Sequence, residues 1–527
     1  MHYAKHTTHQ QAPVRADQVK NSAGGYVFKL DPWARLHRFL ILGTEGGTYY
    51  ASERTLTIDN SLLLQDCFAA DARRTADLIV QISQEGRAPR VDTLLFSLAV
   101  GASGRCGREA ASRAWEAMPQ VARTASHLMK FMSELQVMRG HGRGLRTGIA
   151  RWYNGKSATE LAHQIIKYRN RYGYTHADLI RISHPKPRSL AHDALFHFAV
   201  KDVWKEGADR LEIVDVFLEL QGLVHQPKAA AALIRDRSQV TWEMVPPELL
   251  AHACVWEALL PGMPIGALLR NLGNLSAKDL LKPLGEHTRW VSERLTNVEA
   301  LRKARVHPID LVKASYTYRA GKGLRGKLVW QPVQEIRNAL DAALYLSFQN
   351  VEPAGKRFLL GIDVSGSMTC GSIAGVPGFS PNVAAAVMAL ATVRTEPRVH
   401  SMGFADEFRD LGIDRQDTLE TVTQKTQDRS FGRTDCALPM VWARRNYIEV
   451  DTFVVYTDNE TWFGQVHPHV ALRQYRQETG IDARLAVVGM TATECTIADP
   501  EDTGMLDVVG FDTAAPALLS DFAAGRV

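Results

Sequence analysis

Residues 357–368 read RFLLGIDVSGSM, and the fold turns on them. Phe358, Leu359, Leu360, Gly361 and Ile362 make a short apolar run whose length and flanks suit a strand buried on both faces of a parallel sheet. The run ends in Asp363-Val364-Ser365-Gly366-Ser367, one carboxylate and two hydroxyls at alternate positions where a strand gives way to a Gly-containing loop. Ligands of open α/β sheets bind at the carboxyl ends of strands, so hard oxygen donors placed there point to a cation. Working outward, Thr434 and Asp435 follow Gly432-Arg433 ahead of a helical pattern, and the apolar stretch TFVVYT (452–457) delivers Asp458 at its own carboxyl end. The hydroxyls of Ser365, Ser367 and Thr434 and the carboxylates of Asp363 and Asp458 then converge from three loops. That set is too poor in charge and bidentate groups for a calcium cage. It suits a small divalent ion that keeps several waters, Mg2+ with Mn2+ as the alternative. Taken alone, DxSxS is also what a polar turn with helix caps looks like.

The text after residue 356 alternates strand and helix patterns: strands at 358–363, 399–404, 408–413, 452–457, 484–489 and 507–511, with helices at 382–393, 418–427, 437–445 and 469–479 and a last one beyond 511. Such alternation implies right-handed βαβ crossovers and a doubly wound, mostly parallel sheet. The glycine-rich stretch TCGSIAGVPGFSP (369–381) lies beside the metal loops.

Before residue 357 the period is different. Residues 1–25 read as a flexible arm. Asp31-Pro32-Trp33 is a helix start, with Asp as cap and Pro pre-set for the first turn. Amphipathic helical segments follow at 61–84, 91–100, 109–135, 158–171, 192–204, 247–260 and 334–348, with alternating strand patterns nearly absent. Helix pairs joined by short turns suggest an α-solenoid, which either stays open or closes on itself. The domain division is therefore an arm at 1–25, a helical-repeat domain at 26–356 and an α/β domain at 357–527.

Charge follows the same division. Residues 357–527 carry 14 Lys and Arg against 23 Asp and Glu, net −9, which leaves 48 against 34 before them, net +14. A basic first part joined to an acidic second part suggests that the first meets a polyanion. Residues 139–188 hold 11 Lys and Arg with only Glu160 and Asp178 as acids, and interleave Trp152, Tyr153, Tyr168, Tyr172 and Tyr174. Cations for phosphates and flat rings for unpaired bases are the ingredients of RNA or single-strand recognition. Lys167 and Arg171, four apart on the helix expected at 158–171, would share one face. Each aromatic can equally be core. His184, ahead of Pro185, reads as a polar cap at a helix end or as a ring or phosphate contact.

Other classes are excluded. No apolar run approaches a membrane span and residues 1–21 are polar, which implies a cytoplasmic protein with no membrane partner. The six cysteines are scattered without a CxxC pair, so neither a zinc site nor a disulfide framework is expected. Gly321 to Lys327 has glycines and cations but not the spacing or Ser/Thr of a P-loop. The metal set lacks a nearby base and the paired carboxylates of a two-metal nuclease, so the chain reads as a non-enzyme.

DxSxS, then Thr434, then Asp458 resembles the metal-ion-dependent adhesion site of von Willebrand factor A modules. There Ser365, Ser367 and Thr434 would bind the ion directly, Asp363 and Asp458 often through water, and one position would be left for a protein ligand's carboxylate. Both halves together resemble the Ro autoantigen family, in which a TROVE module of helical repeats precedes a von Willebrand factor A module. The resemblance is carried by TEGGTYY (44–50), IKYRNRYGYTHADLIRISHPKP (166–187), ALLRNLGNL (267–275), GLRGKL (323–328), TDCALPMVWA (434–443), VYTDNET (455–461) and TIADPEDTGMLD (496–507), and starts near Asp31. It implies a multidomain fold: an all-α HEAT-like helical-repeat ring, closed with help from a doubly wound α/β module. It also implies that small noncoding Y RNAs bind the outer basic surface, through Lys167, Arg171 and His184, while single-stranded 3′ ends of misfolded RNAs enter a central hole. The expected role is RNA quality control, decay or ribosomal RNA maturation within a ribonucleoprotein. In bacterial members an exoribonuclease, polynucleotide phosphorylase, is tethered through the RNA. A ring made from one chain implies a monomer. The alternative is a metal-dependent protein-interaction scaffold with incidental RNA affinity.

Overall fold

The computed structural model describes residues 8–43, 53–88, 90–138, 143–237, 240–304, 306–323, 327–348, 352–370, 373, 378–427, 432–491, 493–511 and 514–526. The TEGGTYY segment, residues 1–7, 324–326 of the glycine- and lysine-rich loop, and 371–372 and 374–377 of the glycine-rich loop lie outside them.

Residues 8–25 are not a flexible arm. Strands β1 (Gln18–Lys20) and β2 (Tyr26–Lys29) pair antiparallel, and β2 pairs in turn with a short strand, β10 (Cys495–Thr496), of the C-terminal domain. The side chains of Gln10, Gln18 and Asn21 are buried there. Polar composition suggested an arm because it hides long-range partners; these amides are satisfied by residues more than 400 positions away.

The helix Pro32–Leu42 starts as expected: Asp31 accepts from the Trp33 and Ala34 amides at 2.9 and 3.2 Å, and Pro32 takes the first position. Helices then follow one another to Gln334–Leu346. The helix expected at 61–84 is two helices, Glu53–Ala70 and Ala72–Glu85, because Asp71 leaves the helical conformation to cap the second through the Arg74 amide. The one expected at 109–135 is likewise two, Arg108–Val121 and Ala125–Met138. The helix expected at 158–171 stops at Lys167. Beyond it lies a two-stranded hairpin, β3 (Asn170–Arg171) and β4 (Tyr174–Thr175), so Lys167 and Arg171 do not share a helix face.

The C-terminal domain is built on a six-stranded sheet of order β11-β9-β8-β5-β6-β7, with β5 (Arg357–Asp363), β6 (Arg398–Phe404), β7 (Phe408–Asp410), β8 (Thr452–Thr457), β9 (Arg484–Gly489) and β11 (Met505–Val509). All pairings are parallel except that of the edge strand β7. Successive side chains of a strand face opposite sides, and two cores divide accordingly. Phe358, Leu360, Ile362, Val454 and Tyr456 join one, while Leu359, Phe453, Val455 and Leu485 join the other with Ala443, Leu472 and Tyr475. Gly361 is required in β5 because a Cβ there would lie 2.7 Å from the Pro439 ring.

The C-terminal domain holds both ends of the helical series. At the first end, the fully buried Arg38 reaches Asp507 in β11 with two bonds of 2.6 and 2.7 Å and donates to the Cys495 carbonyl at 2.9 Å. Arg87 donates to the Val509 carbonyl at 3.0 Å. At the last end, Arg319 and Arg337 both reach Glu420 at 2.5 and 3.0 Å, and Arg394 stacks 3.7 Å over the Tyr345 ring. One continuous apolar core runs from Val216 through the last helices into the sheet face carrying helix Pro381–Thr395. That helix is buried from Pro381 to Val393 and apolar on every side apart from Asn382 and Thr392 near its ends, as suits a helix enclosed all round. The helical arc is thus closed into a ring by the α/β domain.

Removing one partner of a buried ion pair strands the other. Arg38→Met in the full chain should therefore cost about 3–5 kcal/mol, read as a lowered urea midpoint, and adding Asp507→Leu should recover much of it. A midpoint unchanged in the single variant would show that this end does not depend on the pair.

Candidate functional site

Asp363 closes β5 and Asp458 directly follows β8, neighbouring parallel strands in register. Their carboxyl ends therefore face one crevice, and all five residues of the expected metal set are buried at its floor. Asp363 accepts from the Ser365 amide at 2.9 Å and from the Thr457 hydroxyl at 2.8 Å, and the Ser365 and Ser367 hydroxyls lie 3.1 Å apart. The Asp458 carboxylate accepts the Glu460 amide at 3.0 Å. Thr434 arrives on the third loop, its carbonyl held by the amides of Trp462 and Phe463 at 3.1 and 3.2 Å.

The electrostatics of the crevice are those of two buried acids set close together. Burial first, and then the charge of Asp458, push the Asp363 carboxyl up, and burial pushes Asp458 up. Among the described residues neither carboxylate has an ion-pair partner, and no cluster of three His, Cys, Asp or Glu surrounds them. Two acids and three hydroxyls with no internal counter-charge fit an ion that brings the missing positive charge and keeps part of its water shell. They do not form a self-sufficient cage.

Sequence reasoning missed the residues that set the loops. The fully buried Gln10 amide donates to Asp435 and to the Val466 carbonyl, both at 2.8 Å, and its oxygen accepts from the Thr461 hydroxyl. Gln10 thereby ties the Thr434 loop to the Asp458 loop. Asn21 donates to the carbonyls of Asn459 and Thr461 at 3.2 and 2.9 Å. Gly25 packs so closely that a Cβ would sit 1.9 Å from the Thr461 oxygen. Burial pushes Asp435 up to about 6, and burial together with the Asp458 charge pushes Glu460 up to about 7. A lone Gln and Asn in a polar stretch carry no local signal of this work. Thr457, ending its strand beside Asp458, could have been suspected.

The three expected contact residues of the basic window sit on three different elements. Lys167 ends its helix and faces Glu243 at 3.6 Å, with a quarter of its side chain exposed. Arg171 is exposed on β3. His184 is the left-handed cap of helix His176–Ser183 (φ 45°, ψ 57°), donating its amide to the Ile180 carbonyl at 2.8 Å, with its ring exposed. The backbone thus follows the cap reading of His184 and leaves the side chain free for a ligand. No hydrogen bond or ion pair links the three among the described residues. Of the aromatics, Trp152, Tyr153 and Tyr174 are core: they bond Ala122, His176 and Gln136 at 2.5, 2.8 and 2.6 Å.

Among the described residues, no helix is long and apolar enough to cross a membrane. The family model described as the Ro60 vWA domain matches residues 357–523, and the TROVE domain model matches 19–212 and 220–317, which carries the likeness back into the strap of β1 and β2. The RNA-binding protein RO60 of Deinococcus radiodurans is 44% identical over 512 residues, covering 97% of this chain and 96% of that one. The RNA-binding protein RO60 of Caenorhabditis elegans is 32% identical over 601 residues, covering 99% and 92%. The crystal structure of the D. radiodurans RO (RSR) protein superposes with a TM-score of 0.70, covering 94% of this chain and all of that one. A helical TROVE region closed by a von Willebrand factor A module, matched over nearly its whole length by such relatives, places this chain in the Ro60 family.

Proposed function

We propose that this chain is an RNA-binding ring protein that recognises rather than transforms its RNA. It takes small noncoding Y RNAs on the basic outer face that includes Lys167, Arg171 and His184, and admits single-stranded 3′ ends of misfolded or structured RNAs to the centre of the ring. The observation that carries this reading is the exposed run of cations on the TROVE side, set against an acidic A module. Helical RNA is held through shape and phosphates, and a free strand gains from a positive path along its backbone. An RNA without a loose end loses the second contribution, so selection follows accessibility of the end. In the cell this gives a cytoplasmic, monomeric scaffold for RNA quality control, decay or ribosomal RNA maturation, with polynucleotide phosphorylase tethered through the bound RNA. The names of the two relatives support the RNA reading; the Y RNA, the nuclease and the monomer are ours.

The crevice at Asp363 and Asp458 is proposed to take Mg2+, or Mn2+, on Ser365, Ser367 and Thr434, with the two carboxylates fixing its water shell. The ion would supply positive charge and one open position for a carboxylate of a protein ligand. The A module would then recruit protein while the ring carries RNA. Unpaired buried carboxylates are the support for this reading.

Two measurements test these proposals. Lys167→Ala with Arg171→Ala should weaken binding of a tailed hairpin RNA at matched salt and flatten the dependence of log affinity on log salt by about 1–2, without unfolding the chain. Unchanged affinity would sink the assignment and favour a protein scaffold with incidental RNA affinity. In the second, carboxyls raised above their unfolded values near ~4 make the cation-free fold bind extra protons, so its stability is present below that pH and is lost as pH rises through the raised values. The gain in melting temperature on adding Mg2+ should accordingly be larger at pH 8 than at pH 5.5, and absent in Asp363→Asn. A gain independent of pH or surviving in Asp363→Asn would place the ion elsewhere.

A further inference from the structure

Tyr172 stands apart from every other aromatic in the basic window. It forms, with Gly173, the two-residue turn of the β3–β4 hairpin, in which Asn170 faces Thr175 and Arg171 faces Tyr174. Both turn residues have positive φ, 53° at Tyr172 and 79° at Gly173. Turns of this kind favour Asn or Gly at the first position, and a bulky residue there is strained. Little packing matches the strain: Tyr172 is 51% exposed, and its hydroxyl makes no hydrogen bond among the described residues. The hairpin beneath it is rigidly docked, since the buried Tyr174 donates to Gln136 at 2.6 Å on helix Ala125–Met138. Lys130 of that helix, itself paired with Glu134 at 2.5 Å, holds its ammonium 5.3 Å from the centre of the Tyr172 ring. Arg171 is exposed one residue before.

We infer that Tyr172 is a stacking platform for an unpaired nucleobase, with Lys130 and Arg171 beside it to meet the phosphates of the same strand. This rests on the RNA reading above and adds to it a subsite for a base, which the cations alone do not provide. A flat ring on a docked turn, flanked by two cations, matches what single-stranded RNA needs: a π-face for any base and positive charge for its backbone. Residues held in sparsely populated backbone regions cluster at ligand-binding sites. A Gly or Asn would make this turn more easily but would offer no ring.

The test uses the full chain and two fluorescent RNAs, a hairpin with a single-stranded tail and a blunt, fully paired duplex. Tyr172→Gly relieves the positive φ, so the variant should melt no lower than the parent while its affinity for the tailed RNA falls about 5–50-fold. Tyr172→Phe should retain that affinity, since the hydroxyl is not used. The loss should leave the slope of log affinity against log salt unchanged, because no charge is removed, and it should not extend to the duplex. Equal affinity of Tyr172→Gly and parent for the tailed RNA, or an equal loss on both RNAs, overturns the platform. A parent chain that binds neither RNA overturns the RNA reading itself, and the platform with it.

Discussion

A stack of helices has two bare ends, and each end exposes the apolar surface that the next repeat would have covered. Here one α/β domain covers both. Arg38 and Arg87 fasten the first helices to β11, and the last helices share a continuous core with helix Pro381–Thr395. The consequence reaches into the domain's own composition. A helix reading PNVAAAVMALATV, buried at every position, is stable only between a sheet and a second layer, so the C-terminal domain is part of the ring and not an appendage to it.

The same closure shapes the crevice. Parallel strands must be covered on both faces, which leaves the carboxyl ends of β5 and β8 as the place where polar groups emerge among apolar layers. Asp363 and Asp458 end up buried side by side, and the cost of their charge is what makes a cation the proposed complement. The loops that carry them are braced by Gln10, Asn21 and Gly25 from the strap ahead of the helices. Strap and sheet therefore contribute to one site drawn from the two ends of the chain.

The division of charge sets the two halves apart. On the helical side, cations emerge at the end of one helix, on a hairpin and at a left-handed cap, positions where the backbone turns and side chains reach solvent. Most of the aromatics interleaved with them face inward and hold those turns in place. Rigid support under exposed cations favours a ligand whose phosphates are themselves regularly spaced.

Much of this was legible in the sequence. The six strands of the sheet, their order along the chain, the Asp31-Pro32 helix start and the five residues of the crevice each announce themselves locally, through an apolar run, a cap or a donor at a strand end. Helix breaks at Asp71 and Ala122 and the β3–β4 hairpin did not, because amphipathic spacing continues across them and only a cap or a turn residue marks the interruption. Composition misread residues 8–25 as an arm. By itself the sequence determined the two-part architecture, the acids and hydroxyls at the strand ends and the basic window, since these rest on local period and residue type. Only the tertiary structure decided that the strap is integral, that Gln10 spans two loops, that Lys167 and Arg171 stand on different elements, and that Tyr172 is the ring left in solvent. Those outcomes depend on partners far apart in the chain and on single backbone angles, neither of which leaves a periodic trace.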